Sequence, residues 1–298
     1  MPDFLIIGAA KSGTTSLYFY LQQHPQVFLP INKEPFFFSF VGKDVNQIHY
    51  EGKEPLTSKV VTDIDNYTSL FQSAPQNARI GEASTLYLVD HDTPQQISRF
   101  IPNVKLIAIL RNPVDRAYSH YQHFFSENKE PINIFLEAIK AEPRRKQNKW
   151  FPSYFYQEAG FYSKHLNNYY SYFDKSQIKV FLYEDLADAD KVTREIFEFI
   201  GITPDITLNT TAKYNVTGKA KFPWLYYSVR KSNKLKNILR KFISHKVWNG
   251  MKHKWDKLMI SPYESISKED RLYLQNIYKA DILQLQDVLQ RDLKHWLD

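Results

Sequence analysis

The chain opens with an unbroken apolar run, Phe4-Leu5-Ile6-Ile7, that stops at Gly8. Continuous rather than alternating hydrophobicity marks a strand buried on both faces. A Gly/Ser/Thr-rich turn follows. From Thr14 the period becomes helical, with Leu17, Tyr20 and Leu21 on one face until His24-Pro25 ends it. The same grammar recurs. Residues 104–110 form a second apolar strand, Arg111-Asn112-Pro113 turns the chain, and Val114 to about Ser126 reads as a helix. Residues 178–183 form a third strand, followed by a helix ending before Gly201, and a shorter strand precedes Gly81. Strands alternating with helices predict an α/β protein with a P-loop-like central parallel sheet flanked by helices on both faces. Turns at the carboxyl ends of such strands are the usual ligand sites.

Residues 40–65 and 141–153 are polar and irregular, and are predicted as loops. Residues 203–223 read as a long ordered loop, a type that tends to carry function. A basic amphipathic helix is predicted from Trp224 to about Ile243. Ser267, with Asp270 three residues on, caps a last helix whose stripe is Leu274, Ile277, Leu285 and Leu289. No internal repeat is present. The expectation is one domain over residues 1–298, with a basic helical insertion at about 219–257 and a C-terminal helix at about 267–297.

Composition narrows the class. The 298 residues are 43% hydrophobic and 24% charged, which excludes disorder as the main state. Cysteine is absent, so no disulfide, thiolate nucleophile or Cys-based zinc site is possible. No carboxylate/histidine cluster has metal-ligand spacing, and no metal is predicted. Apolar runs such as residues 106–110 are far shorter than a membrane helix. The first fifteen residues lack a signal-peptide pattern, and the expected location is the cytoplasm. The net charge of +7 is uneven: residues 219–257 carry twelve Lys/Arg against one acid, a local +11. Local basicity implies an anionic partner, either an anionic acceptor or a peripheral membrane surface. No specific nucleic-acid partner is predicted.

The first turn, Gly8-Ala9-Ala10-Lys11-Ser12-Gly13-Thr14-Thr15-Ser16, has the chemistry of an anion cradle. Backbone N–H groups at a helix start and the helix dipole favour negative charge. Gly13 permits close approach, Thr14, Thr15 and Ser16 add hydroxyls, Lys11 adds a cation, and Ser12 is counted with them in the binding loop. The nucleotide P-loop places its lysine after the second glycine, next to a magnesium-binding Ser/Thr. Here the lysine precedes that glycine, so the loop suits phosphate without suiting Mg-ATP. At the second strand end, Arg111 and, one to two helical turns on, Ser119 can clamp another phosphate. Arg116 is expected at a solvated helix start, paired with Asp115 or another acid.

Two anion sites on neighbouring strand ends suggest one ligand with two separated phosphates. The run Lys11-Ser-Gly-Thr-Thr-Ser resembles the 5′-phosphosulfate loop of sulfotransferases, and Arg111-x-Pro-x-x-Arg116-x-x-Ser119-x-Tyr121 resembles their 3′-phosphate motif. Lys33-Glu34-Pro35-Phe36-Phe37-Phe38 is similar to the Lys-Glu-Pro-His-Phe-Phe segment of the heparan-sulfate and related bacterial branch, and Gly81 through Tyr87 to its Glu-Lys-Thr-Pro-x-Tyr segment. Gly160-x-Tyr162, residues 183–186 and the Asp281 to Trp296 pattern also fit. The resemblance implies the sulfotransferase fold and 3′-phosphoadenosine-5′-phosphosulfate (PAPS) as donor, with its product PAP. The acceptor would be a carbohydrate, lipid or metabolite hydroxyl. It also implies a basic loop over the nucleotide, with Lys219 and Lys221 on the 3′-phosphate side. Phe36, Ala83 and Ser39 depart from the histidine, lysine and aspartate of the heparan-modifying members, which argues against heparan sulfate itself as acceptor.

Transfer needs a base on the acceptor side and positive groups at the leaving oxygen. Glu34 is the expected base, projected by an extended backbone that Pro35 favours and kept ionised by Lys33. Lys11 supplies the positive side. A sister branch, the cytosolic small-molecule sulfotransferases, uses histidine, which makes His91 the runner-up base. Two other function classes compete: an ATP-dependent small-molecule kinase with an atypical P-loop, and a non-enzymatic basic protein binding anionic surfaces. The lysine position speaks against the first. The second leaves the paired phosphate loops unexplained.

Overall fold

The computed structural model describes residues 1–50, 56–209, 219–220, 260–261 and 265–298. Five strands, β1 (Phe4–Gly8), β2 (Val27–Phe28), β3 (Arg79–Ala83), β4 (Lys105–Leu110) and β5 (Ile178–Leu182), form one parallel sheet in the order β2-β3-β1-β4-β5. The three apolar runs of the sequence are β1, β4 and β5. β3 runs through Gly81 instead of ending before it, and β2, at two residues, is too short to show a period. The helices are α1 (Thr14–Leu21), α2 (Phe37–Phe40), α3 (Ile64–Ser69), α4 (Thr93–Phe100), α5 (Pro113–Ser126), α6 (Phe135–Lys140), α7 (Glu142–Gln147), α8 (Tyr162–Tyr170), α9 (Ala189–Phe199) and α10 (Lys268–Leu289).

The chain divides into two compact units, Met1–Tyr214 with Ser267–Asp298, and Asn215–Ile266. The described part of the second is an antiparallel pair, β6 (Lys219–Ala220) with β7 (Ile260–Ser261). The helix expected from Trp224 to Ile243, Lys221 and most of the basic segment lie outside the described residues.

The continuous hydrophobicity of β1 and β4 is explained by burial on both sides. Phe4, Ile6, Ile107 and Ile109 pack with Leu17 and Leu21 of α1 and Val192, Ile196 and Phe197 of α9. The alternate residues Leu5, Ile7, Leu106, Ala108 and Leu110 are equally buried on the other face. The chain leaves β1 for β2 and β3 on one side and returns to β4 on the other. β1 and β4 therefore form the topological switch point, and the turns after them lie side by side at its carboxyl edge.

One polar stretch expected as a loop contains a helix: α7 occupies 142–147, whereas α3 only begins at the end of the 40–65 stretch, at Ile64. The reason in α7 is tertiary. Arg145 is buried and pairs with buried Glu130 at 2.6 Å, while Glu142 accepts from the backbone N–H groups of Gln157 and Glu158. Ser267 caps α10 as expected, accepting from Asp270 N at 3.0 Å. The helix stops at Leu289, where Gln290 turns left-handed, and its buried stripe runs through Leu274, Tyr278, Asp281, Ile282 and Leu285.

Candidate active site

The turn after β1 is tied to β4 by Ala9 N–H donating to Ile109 O at 2.8 Å. Lys11 has φ 67° and Gly13 φ 89°, both left-handed. The left-handed φ favours glycine at position 13, and a Cβ there would also displace the Leu186 side chain, whose Cδ1 would lie 2.5 Å away. Ser12 is fully buried, and its Oγ has no hydrogen-bond partner among the described residues. A buried hydroxyl in that condition at a helix start is poised for an acceptor such as an anion oxygen. Burial pushes the Lys11 ammonium down to about 8, with the Glu127 and Glu34 carboxylates opposing that fall and the Arg111 and Lys33 cations adding to it. Lys33 is lowered too, chiefly by burial, and its Nζ donates to Thr15 Oγ1 at 2.8 Å.

The turn after β4 meets the first one directly. Arg111 Nη1 donates to Lys11 O at 3.2 Å, and its guanidinium lies 4.8 Å from the Tyr183 ring centroid. Asn112 caps α5 through Val114 N–H at 3.0 Å, and Ser119 lies half-buried along that helix. The Lys33 and Arg111 cations thus both act on buried Lys11, and three positive groups gathered at one turn make the electrostatics of an anion site.

Glu34 joins them from the loop before α2. Its N–H donates to Ala83 O at 3.0 Å, and its Oε1 accepts from Thr85 Oγ1 at 2.8 Å. Its backbone is left-handed at φ 63°, not extended as Pro35 favours. Bonds on either side of the turn override the local preference: Phe36 N–H to Ser84 Oγ at 3.1 Å and Val61 N–H to Pro35 O at 2.9 Å. Lys33 turns toward Thr15 instead of serving only as a partner for Glu34. The Phe36 to Phe40 segment is core, with Phe37 stacked on Tyr67 at 4.2 Å, and it anchors the loop that carries Glu34.

The sulfotransferase domain model matches residues 1–287. The chain belongs to the sulfotransferase family. A crystal structure of a sulfotransferase from Alicyclobacillus acidocaldarius is 27% identical with a TM-score of 0.75, covering 100% of this chain and 99% of that one. Bifunctional heparan sulfate N-deacetylase/N-sulfotransferase 3 of Homo sapiens is 30% identical over 68% of this chain and 23% of its own length. The membrane-associated sulfotransferase kil1 of Dictyostelium discoideum is 36% identical over 44% of this chain and 25% of its own. The chain spans about a quarter of the length of these curated relatives.

In this member of the family, His91 is a surface residue, 85% exposed and 3.3 Å from Asp92. Lys219 is described only as a backbone position in β6, and Lys221 lies outside the described residues. Arg116 corrects an expectation. It is fully buried with no carboxylate partner among the described residues, its guanidinium donating to Tyr156 O and lying 3.4 Å from His120 Nδ1, while Asp115 pairs with Arg271 at 2.6 Å. His123 and Glu127 complete the surroundings of Lys11. They are 3.8 Å apart at the end of α5, and burial with the Lys11 charge pushes His123 down to about 4. Their signal was in the sequence: Ser119, His123 and Glu127 are four residues apart, on one helical face.

Glu82 on β3 is a second carboxyl behind the site, 0% exposed. Ser84 Oγ donates to its Oε1 at 2.7 Å and the Tyr67 hydroxyl to its Oε2 at 3.3 Å. Burial pushes it from 4.5 up to about 7. A raised carboxyl holds its proton in the folded state after the unfolded chain has lost it, so stability falls as pH rises from 4.5 to about 7. The loss is about 3 kcal/mol. Glu82→Gln, which cannot ionise, should melt near wild type at pH 5 and gain on it by pH 8. Melting curves whose separation does not widen between these pH values would remove Glu82 as the titrating group.

Proposed function

We propose that this sulfotransferase takes its sulfuryl group from PAPS and delivers it to a hydroxyl of a carbohydrate, lipid or metabolite. The observation that carries the reading is the Arg111 to Lys11 O hydrogen bond of 3.2 Å, which joins two cationic arms at the switch point. A donor with two separated phosphate ends needs two such arms. The orphaned Ser12 Oγ, at the start of α1, fits an anion held against the first turn. Bound PAPS supplies an activated sulfuryl group on a phosphosulfate linkage.

The chain's own residues divide the remaining work. Lys11, Ser12, Gly13, Thr14, Thr15 and Ser16 hold the 5′ end. Arg111 and Ser119 hold the 3′-phosphate. Glu34 takes the proton of the acceptor hydroxyl on the carboxylate oxygen that does not accept from Thr85. Lys11 and the α1 start offset charge gathering on the leaving oxygen. Relatives named for heparan sulfate support a carbohydrate as the nearest acceptor class. Phe36, Ser39 and Ala83 are buried and neutral, which supports one other than heparan sulfate.

PAP should raise the melting temperature at micromolar concentration without magnesium, and adenosine 5′-phosphate, which lacks the 3′-phosphate, should do so far less. Equal shifts for the two would sink the roles given to Arg111 and Ser119, and the reading with them.

A further inference from the structure

We propose that the C-terminal segment belongs to the donor-binding machinery, with Asp281 and Tyr162 as positioning residues that hold Arg111 in its anion-binding orientation. The proposal rests on the reading of Arg111 as the 3′-phosphate arm.

A helix start leaves backbone N–H groups without partners, and Phe161, which precedes α8, supplies no side-chain cap. The cap comes from 118 residues away in sequence. Asp281 of α10 accepts from Ser163 N at 3.1 Å and from Lys164 N at 3.2 Å, one through each carboxylate oxygen. A carboxylate 8% exposed on the buried stripe of a helix is costly unless hydrogen-bonded, and these two bonds are what it gains. The residue they fix is Tyr162, the first of α8. Its buried hydroxyl donates to Arg111 O at 2.9 Å, which sets the backbone at the end of β4.

Independent ties from the same segment reach the other supports of Arg111. Asn112, its neighbour and the cap of α5, donates from Nδ2 to Trp296 O at 3.2 Å. Tyr183, under the Arg111 guanidinium, is followed by two residues held from the C-terminus. Glu184 accepts from Trp296 Nε1 at 3.0 Å, and Asp185 takes both Arg291 nitrogens at 2.7 and 2.9 Å. Tyr278 sets the seat of α10. Its hydroxyl donates to Gln157 O at 2.9 Å, and its ring packs so closely on Gly160 that a Cβ there would lie 2.6 Å away. The backbone carbonyl of one arginine, the helix cap beside it and the two residues that follow its stacking ring are therefore all anchored on residues 278–296 or on the helix they cap.

The test compares dissociation constants for PAP and adenosine 5′-phosphate by titration calorimetry, with melting curves alongside. Tyr162→Phe removes one oxygen and should weaken PAP roughly five- to tenfold while leaving adenosine 5′-phosphate within about twofold. Asp281→Ala should narrow the preference further, and Asp281→Asn, which keeps one acceptor, should fall between. A role confined to fold stability would lower the melting temperature and leave the preference unchanged, and that result in Tyr162→Phe would overturn the proposal. Should Asp281→Ala fail to fold, Tyr162→Phe and Asp281→Asn decide. A wild type with no preference for PAP would fail earlier, at the assignment of Arg111 itself, and would take the proposal with it.

Discussion

Glu34→Gln should lose turnover by about 10²–10⁴ while PAP affinity stays at the wild-type value. The substitution is nearly isosteric, so Thr85 can still donate to the remaining carbonyl oxygen, and the Glu34 N–H still bonds Ala83 O. The turn is held from outside the side chain, by Ser84 and Val61, and survives. What disappears is the atom that receives the acceptor's proton. Radiolabelled transfer from PAPS to polar extract fractions, paired with PAP calorimetry, separates the two quantities. Full turnover in Glu34→Gln would remove this base. His91, at the surface beside Asp92, would be tested next.

Lys11 should make donor affinity depend on pH in one direction. Burial lowers its ammonium to about 8, so the free protein carries the charge below that pH and loses it above. An anion needs the charged form. Above pH 7, where the PAP phosphates are ionised, PAP binding should therefore weaken as pH climbs through about 8, by up to about tenfold per pH unit, as protons must be taken up on binding. Lys11→Met should bind about 10- to 100-fold more weakly at pH 7, the loss expected for a charged hydrogen bond in a buried site. It should also lose the alkaline limb. A limb that persists in Lys11→Met would assign it to Lys33, the other buried cation at the loop.

The elements that position these groups were legible where their chemistry is local. Runs of Leu, Ile, Val and Phe mark β1, β4 and β5 because a strand covered on both faces has no polar side to show. The Gly13 turn, the Asn112-Pro113 helix start and the Ser267 cap are read from residues within three or four positions of one another, the range over which caps and turns act. The order of motifs along the chain was enough for the family, which the domain match over residues 1–287 bears out.

What tertiary structure decided are the partnerships between distant residues. The sequence by itself determined the carriers of charge, Lys11, Glu34 and Arg111, and their places at strand ends or loops. It left undetermined that Lys33 bonds Thr15, that Glu34 sits left-handed, and that Arg116 is buried on the Tyr156 carbonyl. Each of these depends on a neighbour contributed by another layer of the fold: α1 for Lys33, the residues after β3 for Glu34, and the Tyr156 carbonyl for Arg116. Local propensity is worth a fraction of a kcal/mol per residue, whereas a buried polar group left without its partner costs about 1–3 kcal/mol. Where the two compete, as at Glu34-Pro35, the long-range hydrogen bonds prevail.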